Sequence, residues 1–93
     1  MSTPKQKELL EYLGPLYTLK TIDGESCIYR KLNNRYDIEV CGTNYRRERL
    51  RVYVWDISAG EGPTAQIVDR VTDIVSEQHL KQVLTDLAQK YQV

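Results

Sequence analysis

The sequence predicts an α+β fold: an antiparallel four- to five-stranded meander sheet flanked by an N-terminal and a C-terminal helix. Three observations predict it. Residues 50–57, with the sequence LRVYVWDI, are rich in β-branched and aromatic types and contain no glycine or proline. Turn signals at 23–25 and 33–34 separate further strand-like stretches. Leucines with helical spacing lie near both ends of the chain.

Length and composition predict a single small domain over residues 1–93. Hydrophobic residues at 41% and charged residues at 28% are typical of a globular chain that buries one core. Apolar runs are too short for a membrane helix and the N-terminus does not resemble a signal peptide, so we expect a cytoplasmic protein that does not bind membranes. A formal net charge of +0 argues against general nucleic-acid binding, which depends on neutralising phosphates.

The first half of the chain predicts a helix followed by three strands. The helix covers residues 4–13 and has an apolar face of Leu9, Leu10 and Leu13. Gly14 and Pro15 end it. The strands cover residues 16–22, 26–32 and 35–41. Tight turns at 23–25 and 33–34 join them, which makes each pair antiparallel.

The length of the second turn decides which residues face each other. A two-residue loop at 33–34 places Arg30 opposite Asp37, an opposite-charge pair, and this is the register we predict. It puts Cys27 and Cys41 on opposite faces, so no disulfide is expected between them. A three-residue loop would instead bring Cys27 directly across from Cys41.

The second half predicts the central strand, an uncertain segment and a second helix. Residues 43–49 are polar and basic and indicate an exposed connection into the strand at 50–57. Residues 58–63 indicate a turn. Residues 65–74 fit either a helix or a strand, and their β-branched content favours a fifth strand over about 65–71. Ser76 is a good helix cap, and leucines from 80 onward mark a helix over 76–91.

Alternation along the strands divides their side chains between two faces. The predicted inner face, covered by both helices, contains ten residues: Tyr17, Leu19, Cys27, Tyr29, Tyr36, Ile38, Val40, Leu50, Val52 and Val54. The predicted outer face contains nine: Lys20, Ile28, Arg30, Asp37, Glu39, Arg51, Tyr53, Trp55 and Ile57. This outer face is unusually aromatic, so either a helix covers it or a partner does.

Residue types that perform catalysis or bind metals do not form a recognisable motif. His79 is the only histidine, and its place on the second helix predicts a solvated side chain. Two cysteines without CxxC spacing do not supply a four-ligand zinc site with one histidine, so we expect no metal and no cofactor. Asp37, Glu39 and Asp56 are expected to share the outer face, where arginines balance their charge. The sequence therefore predicts a protein that is not an enzyme.

The outer face leads to two predictions of function. The first is a non-enzymatic protein-binding domain whose partners include a second copy of itself, as a homodimer. Its predicted partner-binding residues are Arg51, Tyr53, Trp55, Ile57 and Ile28, because Trp, Tyr and Arg are enriched at binding hot spots.

The alternative prediction is single-stranded nucleic-acid binding. It depends on the arginine cluster that leads into the central strand, with rings stacking on bases and arginines on phosphates. The residues predicted for it are Tyr45, Arg46, Arg47 and Arg49.

Overall fold

A computed structural model describes residues 4–22, 24–43, 49–60 and 62–92. Two helices and five strands account for most of them, with one 3-10 turn at Gly62–Thr64. The helices and strands in chain order are α1 Pro4–Leu13, β1 Thr18–Ile22, β2 Glu25–Lys31, β3 Tyr36–Cys41, β4 Leu50–Asp56, β5 Gln66–Ile74 and α2 Glu77–Tyr91. None of the helices in these ranges is long and apolar enough to span a bilayer.

The strands form one antiparallel sheet in the order β1-β2-β3-β4-β5, so each strand pairs with its neighbour in the chain. This confirms the predicted α+β meander with a helix at each end. It also resolves the uncertain segment, since residues 66–74 are the fifth strand. The edges of the sheet are β1 and β5.

Both helices pack on the same face of the sheet, as predicted. Leu9 of α1 is 1% exposed and Leu80 of α2 is 0% exposed, and both belong to the core that the central strands line. Burying a leucine stabilises the fold by about 1.5–3 kcal/mol, and neither amphipathic helix would be stable without this contact. The sheet residues of this core are Ile28, Ile38, Val40, Leu50, Val52, Val54 and Ile74.

The predicted register between β2 and β3 is wrong by one residue. Arg30 lies opposite Ile38, and Lys31 lies opposite Asp37. The loop is longer than predicted because Asn33 Oδ1 accepts hydrogen bonds from the backbone N–H groups of residues 35 and 36, at 2.9 Å each. An asparagine that bonds its own following backbone in this way fixes a local turn. The three-residue loop therefore forms, and the expected Arg30–Asp37 pair does not.

The turn between β1 and β2 is one residue shorter than predicted. Together with the longer second loop, it exchanges the two faces of β2 and leaves the faces of β1 and β3 as predicted. Ile22 pairs with Glu25, so two residues form the turn, one of them Gly24 at φ 79°. As a result Leu19 lies opposite Ile28. Ile28 is 0% exposed within the core, whereas Cys27 and Tyr29 point to the other face. The sheet gains an aliphatic core residue, and Tyr29 lies half-exposed on the other face.

Two irregularities adapt β5 to β4. The register shifts between Leu50 and Val52 and again between Val54 and Trp55. Asp73 lies at the first shift with a φ of 60°, a value rare outside glycine, asparagine and aspartate. The second shift places Ile67 opposite Trp55.

The second helix begins at a cap and is bonded to the sheet near its other end. Ser76 Oγ accepts a hydrogen bond from the His79 backbone at 3.1 Å, which confirms the predicted cap. At the far end Lys90 Nζ and Tyr91 Oη both donate to Asp69 of β5, at 3.0 and 2.9 Å. These charge-assisted bonds hold the helix against the edge of the sheet.

Candidate functional site

The face of the sheet opposite the helices is the candidate site, and we call it the open face. Successive strand residues alternate between faces, so the odd-numbered residues of β3 and β4 point here. Neither described helix contributes to it. Its residues on the three central strands are Cys27, Tyr29, Asp37, Glu39, Cys41, Arg51, Tyr53 and Trp55.

Four of the five predicted partner-binding residues lie on or beside the open face. Arg51, Tyr53 and Trp55 are neither buried nor fully exposed. Ile57 follows β4 and is 8% exposed. Ile28 was predicted here and is not here: the reversal of β2 places it in the core under the helices.

The open face also contains residues that the sequence analysis did not assign to the site. Tyr29 takes the place predicted for Ile28, and Lys20 Nζ lies 4.3 Å from the centre of its ring. Ile67 of β5 lies beside Trp55 and is 39% exposed. Arg70 Cζ lies 5.5 Å from the centre of the Tyr53 ring. The aromatic rings are therefore interleaved with cations, and each such contact contributes about 0.5–1 kcal/mol at an exposed site.

A groove of about 470 Å³ crosses the open face. It extends from β1 over the central strands to the 3-10 turn at Gly62–Thr64. Apolar surface from Trp55, Ile57 and Pro63 lines it together with the carboxylates of Asp37 and Glu39. Mostly apolar walls with a few fixed polar groups are typical of binding grooves.

Glu39 is the centre of a hydrogen-bond network beneath the groove. It is 7% exposed, and its Oε2 accepts from the Trp55 indole Nε1 at 2.8 Å. Its Oε1 accepts from Cys41 Sγ at 2.9 Å. A buried carboxylate needs such donors because the interior does not solvate its charge. The network therefore fixes both Glu39 and the plane of the Trp55 ring.

The two cysteines lie side by side, against the prediction that the register would separate them. Cys27 Sγ and Cys41 Sγ are 3.7 Å apart, and both thiols are free. Burial, and then the charge of Glu39, raises the pKa of Cys27 from 9.0 to about 11. Burial and the hydrogen bond to Glu39 also raise the pKa of Cys41. Both groups are therefore neutral thiols at neutral pH, with low reactivity.

These thiols predict a loss of stability at alkaline pH. The folded state holds their protons more tightly than the unfolded state, so their contribution is complete below about pH 9 and is lost as pH rises through the folded pKa. We expect the free energy of unfolding, measured by urea denaturation, to fall between pH 9 and pH 11. The double variant Cys27→Ala/Cys41→Ala should show a shallower decline. Equal declines in both proteins would contradict the assignment.

Four residues were predicted for nucleic-acid binding, and Asp56 was predicted on the outer face. Tyr45, Arg46 and Arg47 are outside the described residues. Arg49 is exposed and forms an ion pair with Asp73 at 3.2 Å. Asp56 does not join the acidic residues of the open face as predicted, because it lies opposite Tyr36, which packs against the core.

The arrangement offers aromatic and aliphatic surface, cations at its margin and two buried carboxylates, all on rigid strands. Such a surface can bind another protein without a chemical step. Comparison with family models, curated proteins and solved structures finds no match to this chain.

Proposed function

We propose that this chain is a non-enzymatic protein-binding domain that associates with a second copy of itself through the open face. The observation that carries the proposal is the position of Tyr53 and Trp55, half-exposed on a rigid sheet face that neither described helix covers. A ring of this size left half in water gains free energy when a partner buries it. Arg51 and Arg70 beside these rings complete a set of residue types enriched at interfaces.

Charge supports a second copy as the partner. The chain has a formal net charge of +0, so two copies do not repel each other. The open face contains both signs, with the buried carboxylates of Asp37 and Glu39 beneath the groove and the cations of Lys20 and Arg70 beside the aromatic rings. A two-fold axis brings the same patch against itself, which requires a surface that is complementary to itself in charge.

The size of the face supports the same conclusion. Five strands about 4.8 Å apart and about seven residues long span a plane of roughly 550 Å². Stable interfaces use on the order of 800 Å² of accessible surface on each partner. The plane of the sheet is therefore of the same order as one side of such an interface.

Single-stranded nucleic-acid binding stays the alternative prediction. It has less support, because the open face contains the carboxylates of Asp37 and Glu39, which repel phosphate. Arg49, one of its predicted residues, already forms an ion pair with Asp73.

The test is the molar mass in solution, measured by light scattering on a sizing column over a range of concentrations. We expect the native chain to be a dimer and Ile67→Glu to be a monomer. Ile67 is suited to this change because it lies on the open face and is already 39% exposed, so a carboxylate there remains hydrated in the monomer. In the dimer the same carboxylate would be desolvated.

Val75→Glu is the matched control. Val75 is also an exposed β-branched residue, at 73%, but lies between β5 and α2. It should leave the dimer unchanged. A native chain that is monomeric at every concentration, or dimers in both variants, would reject self-association through this face. Binding to single-stranded oligonucleotides that weakens steeply with salt would favour the alternative.

A further inference from the structure

Two thiols and two carboxylates converge at one end of the open face. The Sγ atoms of Cys27 and Cys41 are 3.7 Å apart, and Glu39 Oε1 lies 2.9 Å from Cys41 Sγ and 3.7 Å from Cys27 Sγ. A carboxylate oxygen of Glu25 lies within 4.8 Å of both sulfurs. The cluster forms because the three-residue loop after β2 brings Cys27 and Cys41 to the same face.

We propose that Cys27, Cys41, Glu39 and Glu25 form a binding site for one Zn²⁺ ion. The number and type of the groups fit the preference of zinc for four ligands that include thiolate sulfur and carboxylate oxygen. Two cysteines and the single histidine of this chain do not complete such a set. A carboxylate oxygen of Glu25 and the two sulfurs lie within 4.8 Å of one another, and Glu39, whose Oε1 contacts both sulfurs, is the proposed fourth ligand.

Two of the three distances among the sulfurs and Glu39 Oε1 agree with tetrahedral coordination. Two sulfurs, each about 2.3 Å from a tetrahedral zinc, lie about 3.8 Å from each other, and a sulfur and a carboxylate oxygen lie about 3.6 Å apart. The sulfur-to-sulfur distance of 3.7 Å and the Cys27-to-Glu39 distance of 3.7 Å match these values. The Cys41-to-Glu39 distance of 2.9 Å is that of a hydrogen bond, and it must open by about 0.7 Å once the thiol proton leaves.

The ligand chemistry selects zinc over harder cations. Mg²⁺ and Ca²⁺ prefer all-oxygen sites, whereas two sulfurs favour zinc or its heavier congener Cd²⁺. Binding is not a redox step: each S–H bond breaks, a metal–sulfur bond forms, and two protons pass to the buffer. The cation also offsets the charge of the two thiolates that it creates beside Glu39.

The surrounding residues are placed to support such a site. Trp55 Nε1 donates to Glu39 Oε2, which leaves Oε1 directed at the thiols. Partners of this kind orient a ligand and typically contribute 10–100-fold in metal affinity. Glu25 Oε1 accepts from the Gly42 backbone N–H at 3.4 Å, and this side chain is half-buried.

The test is a titration of the reduced full chain with Cd²⁺, followed by the ultraviolet absorption of the thiolate-to-cadmium charge transfer. We expect this absorption to saturate at one metal per chain, with release of two protons to a pH indicator. Zn²⁺ should compete for the same site. The single tryptophan adds a second readout, because its indole contacts Glu39 and its emission should change at the same equivalence point.

Variants separate the four ligands. Cys27→Ser and Cys41→Ser should each abolish tight binding, and Glu39→Gln should weaken it on the order of 100-fold. Glu25→Gln should also weaken binding, whereas Glu8→Gln on the exposed side of α1 should not change it.

No thiolate-to-cadmium absorption in the reduced native chain would overturn the proposal, and that result needs no variant to fold. Full affinity in both glutamate variants would overturn the four-ligand site. The metal site does not depend on self-association. A monomer that binds Cd²⁺ would support the metal site and reject the dimer, whereas a dimer that does not bind Cd²⁺ would do the opposite.

Discussion

Replacing Ile28 with alanine is expected to lower the free energy of unfolding by about 2–5 kcal/mol. Ile28 is 0% exposed and packs in the core beneath the helices. The change removes buried methyl and methylene groups and leaves a cavity that rigid neighbours fill only in part. Urea denaturation followed by circular dichroism measures the effect. In a domain of this size, a loss of 1 kcal/mol lowers the melting temperature by about 4–8 °C.

Leu19→Ala is the control for this change. Leu19 lies directly opposite Ile28 in the sheet but is 37% exposed at the edge strand, so truncation should cost clearly less. If Ile28→Ala cost no more than Leu19→Ala, residue 28 would lie on the open face and the observed register would be wrong. The pair therefore tests which face of β2 is buried.

Trp55→Phe is expected to lower the free energy of unfolding by about 1–3 kcal/mol. Phenylalanine keeps most of the aromatic surface but removes the indole N–H that donates to Glu39 Oε2 at 2.8 Å. The carboxylate stays buried with one donor fewer, and a buried charge that loses a partner is costly. Because the variant has no tryptophan, circular dichroism rather than fluorescence should follow its unfolding.

Tyr53→Phe provides the comparison on the same strand and face. Its ring keeps the contact with the Arg70 guanidinium, and the stability should change by less than about 0.5 kcal/mol. A second comparison is Trp55→Phe in a Glu39→Leu background, where no carboxylate needs the donor and the cost should shrink. An unchanged cost in that background would show that ring packing, not the hydrogen bond, is responsible.

Patterns along single elements allowed the fold to be predicted. The stripe of Leu80, Leu84 and Leu87 identifies α2, and the β-branched and aromatic run at 50–57 identifies β4. These signals are local, because one amphipathic element has to bury one face whatever its neighbours do. The same alternation predicts the face on which Tyr53 and Trp55 lie, and the structure confirms that placement.

The register of β2 could not be predicted in the same way. Cys27, Ile28 and Tyr29 place an apolar or aromatic side chain on either face, so alternation does not choose between them. The choice is made by the Asn33 side chain, whose bonds to the backbone of residues 35 and 36 lengthen the turn. One residue of loop length then moves Ile28 into the core and brings the two cysteines together.

Nuclear magnetic resonance of the labelled native chain over a dilution series is the most direct test of the central claim, that the open face is the binding surface. The single tryptophan gives one indole N–H signal at the centre of that face. This signal and the amides of Tyr53 and Ile67 are expected to shift with concentration, while those of Val75 and the exposed side of α2 stay fixed. Shifts confined to the helices, or none at any concentration, would contradict the claim.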